Sequence, residues 1–186
     1  FHAVRDLLQQ FPGEVLRFAL LSAHYRSPLN FSVELLEQSR ASLDGLYGAL
    51  RDVQEVAVDT EVVLEGEAFY AALNDDLNTP IAIAEMHAIA KALNKAEDAE
   101  KPALKARFLA VADLLGILQN DPQDWFQAAS SDDAISAEAI EALIEERQQA
   151  KLDKNYARAD EIREELASQG VVLEDAREGT TWRREG

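Results

Sequence analysis

The chain has 186 residues, of which 47% are apolar, with 5 prolines and 8 glycines, so it suits one or two domains with a buried core. No apolar run approaches the roughly 18 residues of a membrane span, and the lack of cysteine excludes disulfides and thiol chemistry within these residues. The formal net charge of −17 argues against nonspecific phosphate binding, which needs a basic surface.

The acidic charge is concentrated in the middle of the chain. Residues 1–51 carry 5 basic and 5 acidic side chains, residues 52–134 carry 5 and 17, and residues 135–186 carry 8 and 13. The two ends are therefore closer to neutral and remain able to meet an anionic partner. The chain starts at Phe1 with no signal-peptide pattern, which we interpret as a fragment or a processed chain. The lack of cysteine fits a cytosolic origin.

The first two thirds of the chain predict helices in series. Their predicted ranges are 3–11, 13–25, 32–52, 67–75, 80–96 and 102–118, with a linker over 53–66. Pro12 and Gly13 stop the first helix, and Ser32 is the predicted N-cap of the third. Thr79 is the predicted N-cap of the helix that begins at Pro80, because proline lacks only an N–H that a helix start does not use.

A cluster of Asp, Pro and Ser over 119–134 interrupts this pattern and predicts a domain boundary. Two further helices are predicted beyond it, over about 136–150 and 155–169, with Gly170 as the C-terminal stop of the second. Two short strands follow, at 171–173 and 180–183. Since a two-stranded hairpin alone is marginal in water, we expect it to pack on the helix pair.

Residue patterns give little support for catalysis in this chain. His2, His24 and His87 are far apart and lack ligand spacing, so no metal site is predicted. The segment 74–78 (NDDLN) lacks the glycine and the alternating ligands of a calcium loop, and helix ends explain it better. No glycine-rich phosphate motif is present, and no local context supports a Ser/His/Asp triad.

The C-terminal segment combines basic and aromatic side chains with carboxylates. The basic and aromatic residues are Lys151, Tyr156, Arg158, Arg177, Trp182, Arg183 and Arg184, and the carboxylates are Asp160, Glu174 and Asp175. One interpretation is a packed core with a solvated charged face. The other is single-stranded RNA recognition, in which aromatics stack on splayed bases and carboxylates accept hydrogen bonds from base edges. Acidic residues are compatible with RNA recognition of this kind because the protein contacts base edges rather than phosphates.

Four blocks resemble the C-terminal half of bacterial cysteinyl-tRNA synthetase: GEVLRFALLSAHYRSPLNFS (13–32), LNDDLNTPIA (73–82), KNYARADEIREEL (154–166) and GVVLEDAREGTTWRR (170–184). They occur in family order, and the resemblance covers essentially the whole chain. It implies a mainly α fold in which a helical bundle precedes a small mixed α/β domain of two helices and a β-hairpin. The implied parts are a stem-contact-like helical region (1–31), a DALR-type anticodon-binding bundle (32–120), a linker (121–134) and an anticodon-recognition domain (135–186).

The resemblance also implies a function, namely binding of tRNA(Cys) through its GCA anticodon loop by a monomeric, cytoplasmic protein without membrane association. The RNA-binding positions that it implies are Lys151, Tyr156, Asp160, Asp175, Trp182 and Arg183. Arginine and tryptophan are common in the family at the first two, so we expect the same anticodon with adjusted geometry. For Trp182 and Arg183, a hairpin core with a phosphate contact is preferred over direct base contact.

Other parts of that enzyme are implied to lie outside this chain. The family's catalytic domain, with its HIGH motif, KMSKS loop and zinc, precedes the matching blocks and attaches cysteine to tRNA(Cys) with ATP. We therefore expect no cofactor here, a partnership with the enzyme's own N-terminal catalytic domain, and no activity of this fragment alone. Two alternatives are an acidic helical protein-interaction module derived from the same fold, and a cysteine-ligating relative that does not use tRNA. The retained tail argues against the latter, which has no anticodon to read.

Overall fold

The structure is a computed structural model that describes residues 4–128, 134–176 and 179–184. Along this part of the chain the elements are α1 (Val4–Leu7), α2 (Gly13–Leu21), α3 (Val33–Arg51), α4 (Ala68–Asn74), α5 (Thr79–Leu93), α6 (Lys101–Leu115), α7 (Pro122–Gln127), α8 (Ala137–Leu152), α9 (Tyr156–Ser168), β1 (Val171–Ala176) and β2 (Gly179–Arg184). The predicted mainly α fold with a C-terminal hairpin is confirmed. No helix among the described residues is long and apolar enough to cross a bilayer.

Two compact units divide the chain, Phe1–Pro122 and Gln123–Gly186. Helices α1 to α6 belong to the first unit, and α8, α9 and the hairpin belong to the second. Part of the predicted linker over 121–134 is helical, because α7 occupies Pro122–Gln127. Residues 129–133 of that predicted linker lie outside the described part of the chain.

Capping side chains set the helix boundaries in the first unit. Ser32 caps α3 as predicted, since its side chain accepts a hydrogen bond of 3.3 Å from a backbone N–H of the first turn. The predicted N-cap Thr79 is wrong by one residue: the Asn78 side chain accepts from the Ile81 N–H at 3.4 Å, and Thr79 begins α5. The Thr79 hydroxyl instead donates to the Leu21 carbonyl at 2.7 Å, which ties the start of α5 to the end of α2.

The core of the first unit includes one apolar face of α3. Leu36, Leu43 and Leu46 of α3 are fully buried. Beyond the end of this helix, the buried ammonium of Lys105 donates to the carbonyls of Val53, Gln54 and Val56 at 2.7–3.0 Å. A buried lysine therefore supplies hydrogen-bond donors to carbonyls of the segment that follows α3.

Two of the sequence blocks that carry the resemblance meet in the first unit. The Tyr25 hydroxyl donates to Asp76 Oδ1 at 2.7 Å, and Arg26 Nη2 lies 3.1 Å from the same oxygen. His24 Nε2 is 3.0 Å from the Asp76 carbonyl oxygen. Asp76 has a φ of 54°, which is uncommon for a residue other than glycine. Residues 74–78 therefore form a helix-ending turn, and the described residues contain no cluster of His, Cys, Asp or Glu that could hold a metal ion.

The second unit packs its hairpin on α8 and α9. β1 and β2 pair antiparallel in a register that places Leu173 opposite Trp182 and Asp175 opposite Thr180. Side chains from both helices and both strands form one buried cluster: Ile140, Ile144, Ile162, Leu166, Val171, Leu173 and Trp182. The helix pair thus supplies the apolar surface that an isolated hairpin lacks, as expected from the marginal stability of two strands.

Candidate nucleic-acid interface

The two faces of the hairpin separate the predicted site residues. Successive side chains of a strand point to opposite faces, so Asp175 shares the helix-facing side of β1 with the buried Leu173. Thr180 and Trp182 occupy the same face of β2, whereas Arg183 points to the other face. Asp175 lies where this core-facing row meets solvent, and 47% of its side chain is exposed.

Three donors surround the Asp175 carboxylate. Arg147 makes a bidentate pair with it, from Nη1 to Oδ1 at 2.9 Å and from Nη2 to Oδ2 at 2.8 Å. The Thr180 hydroxyl donates to Oδ1 at 2.7 Å, and Lys151 Nζ lies 3.6 Å from Oδ2. The hydrogen bonds from Arg147, and then that from Thr180, hold the pKa of Asp175 well below its usual range. The carboxylate is therefore ionised at neutral pH and fixed in orientation.

Arg147 binds the Asp175 carboxylate but is not among the site residues predicted from the sequence. Its side chain is 5% exposed, and it follows Ile140 and Ile144 along the buried face of α8. The hydrogen bonds that it donates to Asp175 raise the pKa of its guanidinium, with a smaller electrostatic contribution from Asp160 of α9. A charged residue at a core position of a helix indicates an ion pair with another element, because a buried charge needs a partner.

The turn between α8 and α9 displays the predicted aromatic residue. Tyr156 is the first residue of α9 and is 62% exposed, and Asp160 lies one helical turn later on the same side of the helix. The Asn155 side chain caps α9 by accepting from the Arg158 N–H at 3.3 Å. Lys154 has a φ of 60°, so the chain reverses sharply between the two helices. An exposed ring at a rigid, capped helix start suits stacking on a base.

All six predicted residues lie in the second unit, and four of them, Lys151, Tyr156, Asp160 and Asp175, lie on α8, α9 and β1. Lys151 and Asp175 are in direct electrostatic contact, and Asp160 acts on the Arg147 guanidinium that binds Asp175. Tyr156 follows Lys151 across the α8–α9 turn. The structure brings these side chains to one end of the helix pair and to the adjacent part of β1.

Trp182 is a core residue rather than a surface residue. It is 2% exposed, and its indole Nε1 donates to Glu141 Oε1 at 2.6 Å. Its backbone carbonyl oxygen lies 3.4 Å from the side-chain amides of both Gln123 and Gln127. A ring buried in this way belongs to the hairpin core, the placement preferred from the sequence, and a contact of Trp182 with RNA stays a prediction.

The two arginines that follow Trp182 have different environments. Arg183 Nε donates to Glu174 Oε1 at 3.1 Å, and 34% of its side chain is exposed, so its phosphate contact stays a prediction. Arg184 is 9% exposed, and it donates to the Gln127 carbonyl at 3.0 Å and to the Ile135 carbonyl at 2.6 Å. The hydrogen bonds of Arg184 are therefore internal to this unit. Arg177, also part of the predicted basic segment, lies outside the described residues.

Several basic side chains near the turn are paired with carboxylates. Arg158 donates from Nε to Glu146 at 2.8 Å and from Nη1 to Glu161 at 3.3 Å. Together with the Arg147–Asp175 pair, this leaves little net positive field for a general attraction to phosphate. An interface of this composition favours contacts to bases.

Comparison with known families covers most of the chain. Residues 1–41 match the tRNA synthetases class I (C) catalytic domain, residues 68–119 match the DALR domain, and residues 135–183 match the cysteinyl-tRNA ligase anticodon binding domain. The first match overlaps the expected stem-contact-like region at 1–31 and assigns it to the catalytic-domain family. The last match includes all six predicted RNA-binding positions.

Curated relatives with high identity are cysteine–tRNA ligases. The chain is 56% identical over 185 residues to that of Saccharophagus degradans, 47% over 188 residues to that of Paramagnetospirillum magneticum, and 48% over 184 residues to that of Xanthomonas campestris pv. campestris. These matches cover 97–99% of this chain and 39–40% of each relative. The chain thus spans about 40% of the length of the curated relatives it matches.

Proposed function

The chain carries the DALR and anticodon-binding domains of the cysteine–tRNA ligase family, and on that premise we propose that it binds tRNA(Cys) at the anticodon. One observation carries the proposal: the unit that matches the anticodon-binding domain has an exposed tyrosine at a capped helix start and a carboxylate, Asp175, that is held in orientation. The neighbouring basic groups are mostly paired, so recognition rests on bases more than on phosphates.

Each residue of the α8–α9 end takes a distinct part in the proposed contact. Tyr156 stacks on a splayed base, which every nucleobase allows because each has a π-face. Asp160 and Asp175 accept hydrogen bonds from base edges, as a carboxylate does from the exocyclic amine of cytosine. Lys151 supplies a mobile point charge instead of the planar fork of an arginine, and Arg183 meets the backbone from the opposite hairpin face.

The proposal extends to the longer protein. We infer that the anticodon is GCA and that a monomeric, cytoplasmic enzyme attaches cysteine to tRNA(Cys) with ATP. The described residues hold no cluster suited to a metal, so they do not fit the zinc of that enzyme, and we assign zinc and ATP binding to the N-terminal catalytic domain as partner. On this view the present chain alone does not aminoacylate tRNA.

The alternative of an acidic protein-interaction module is not favoured. The match to the anticodon-binding domain runs through α8, α9 and both strands, and the relatives are ligases along nearly the whole of this chain. A protein-interaction function has no comparable support in the described surface.

Replacing Tyr156 with alanine should weaken binding of a stem-loop RNA with a GCA anticodon by about 1–3 kcal/mol, the range for losing one base stack. Tyr156→Phe keeps the ring and should bind within about twofold of the parent, because the hydroxyl adds nothing to stacking. Since the side chain is 62% exposed, both variants should keep the parent fold. Fluorescence anisotropy at one fixed salt concentration measures the affinities.

The same titration with a stem-loop altered only in the anticodon tests whether bases are read. We expect the parent to bind the altered loop about tenfold more weakly, which corresponds to about 1.4 kcal/mol. Equal affinity of the parent for both loops would contradict anticodon recognition. Unchanged affinity of Tyr156→Ala for the GCA loop would instead contradict the placement of the site at the α8–α9 turn.

A further inference from the structure

We propose that Arg147 is a positioning residue for RNA recognition, whose buried guanidinium holds the Asp175 carboxylate in the one orientation that it offers to the RNA. The inference rests on the proposed function and adds to it a residue that does not itself touch RNA. Arg147 is 5% exposed, so its guanidinium is closed to a large ligand, whereas 47% of the Asp175 side chain faces solvent.

The guanidinium is committed to Asp175. Both terminal nitrogens donate to the two carboxylate oxygens, at 2.9 and 2.8 Å. In the described part of the chain, the third guanidinium nitrogen, Nε, is buried and has no hydrogen-bond partner. Asp175 therefore satisfies this buried charge, and the bidentate geometry fixes the plane of the carboxylate because one oxygen cannot move without breaking a bond.

This fixation determines which part of the carboxylate can bind a base. A carboxylate oxygen has about two acceptor positions, and Oδ1 already accepts from Arg147 and from the Thr180 hydroxyl. Oδ2 accepts from Arg147 alone within hydrogen-bond distance, with Lys151 Nζ at 3.6 Å. The open acceptor position is thus on Oδ2, beside the Lys151 ammonium. A donor on the RNA meets an acceptor that is already oriented, which lowers the entropy cost of binding.

Stability of the unit does not by itself call for an arginine at this position. Residue 147 continues the buried face of α8 that contains Ile140 and Ile144, where an unbranched apolar side chain would pack. Replacing a buried ion pair by apolar residues is often neutral or stabilising, so such a pair is weak evidence for a stabilising role. The main role of Arg147 is therefore to orient Asp175, whose side chain is exposed at the edge of the core.

Because Asp175 is surrounded by charged groups, its titration reports whether the Arg147 guanidinium is bound to it. Asp175 faces Arg147 and Lys151 from α8 and the uncharged Thr180 from β2, while Asp160 of α9 acts on Arg147. Hydrogen bonds from Arg147 are the main reason that the pKa of Asp175 lies below its ordinary value. Without the guanidinium, that pKa should return toward about 4.

The test compares Arg147→Met and Arg147→Lys with the parent chain. Arg147→Met should bind the GCA stem-loop about tenfold more weakly at neutral pH, the size of one good base contact. Arg147→Lys, which keeps the charge but loses the fork, should fall between the two. Carbon-13 NMR of the Asp175 carboxyl should show its titration midpoint rising in Arg147→Met, which a purely structural role of Arg147 elsewhere in the core would not produce.

Two controls make the result specific. Arg163→Met removes the same charge from an exposed position of α9 and should leave affinity within about twofold of the parent. In an Asp175→Asn background, Arg147→Met should cause little further loss, because the two residues act as one unit. If the amide spectrum shows that Arg147→Met unfolds the hairpin, the affinity of Arg147→Lys for the GCA stem-loop, compared with that of the parent, tests the positioning role instead.

The outcomes separate this inference from the function on which it rests. Failure of the parent to bind the GCA stem-loop overturns the proposed function and the positioning role with it. Binding by the parent, with equal affinity of folded Arg147 variants, overturns the positioning role alone. Additive losses from Arg147→Met and Asp175→Asn also overturn it, because they show that Arg147 acts independently of Asp175.

Discussion

Replacing Trp182 with alanine is expected to lower the free energy of unfolding of the second unit by about 3–5 kcal/mol, the range for a fully buried large aromatic residue. Trp182 is 2% exposed and joins β2 to the cluster formed with α8 and α9. Its truncation removes the largest side chain of that cluster and leaves the Glu141 carboxylate without the indole donor at 2.6 Å. The hairpin, which depends on the helix pair, should be the element that is lost.

Urea denaturation followed by the amide signals of α8, α9 and the hairpin measures this effect directly. Trp182→Phe is the matched control, because it keeps an apolar ring but not the indole N–H, and its loss should be clearly smaller. Folded Trp182→Phe should also bind the GCA stem-loop like the parent, since the ring packs in the hairpin core. An alanine variant within about 1 kcal/mol of the parent would contradict the core assignment.

Replacing Asp175 with alanine is expected to weaken both the fold and RNA binding. The side chain of Arg147 is 5% exposed and makes its hydrogen bonds to this carboxylate, so truncation leaves a buried charge unpaired. Leaving such a group unsatisfied costs about 1–3 kcal/mol of stability. Loss of a base contact should reduce the free energy of binding by a further ~1–3 kcal/mol.

The substitution Asp175→Asn helps to separate the loss of stability from the loss of RNA binding. The asparagine side chain keeps the shape of the aspartate and one acceptor oxygen but not the charge. The pKa of Asp175 is lowered in the folded protein, so its ionisation stabilises the fold at pH values above its unfolded pKa of about 4. That contribution is lost as the pH falls through and below this value. The stability difference between the parent and Asp175→Asn should therefore be largest near neutral pH and shrink in acid. A difference that grows in acid, or an alanine variant that binds RNA like the parent, would contradict the assignment.

Local signals predicted most of the helices, and their errors have physical causes. Asn78 caps α5 in place of Thr79, because an asparagine one residue earlier offers an oxygen to the same first turn while the Thr79 hydroxyl bonds Leu21. Helix α2 ends at Leu21, four residues before the predicted end, where the Ser22 hydroxyl donates to the Ala19 carbonyl. Pro122 at the first position of α7 is typical of a helix start. The surrounding Asp and Ser residues nevertheless favoured the prediction of a linker in this segment.

The site was less predictable than the fold, because its decisive contacts are tertiary. Motif resemblance supplied Tyr156 and Asp160, and the structure finds both on the exposed side of α9. The pairing of Arg147 with Asp175 joins residues 28 positions apart and depends on how the hairpin seats on α8. Strand alternation was readable in the sequence: Asp175 has the same parity as the apolar Leu173, which indicates the helix-facing side.

We expect RNA to bind at the α8–α9 turn and the adjacent hairpin. Amide chemical-shift mapping of the whole chain, titrated with the GCA stem-loop, identifies the elements that the RNA contacts. The shifts should concentrate within residues 147–160 and in β1 and β2, with the amides of α3 to α6 close to their free positions. Shifts that concentrate in α3 to α6 and leave the α8–α9 turn unchanged would contradict this expectation.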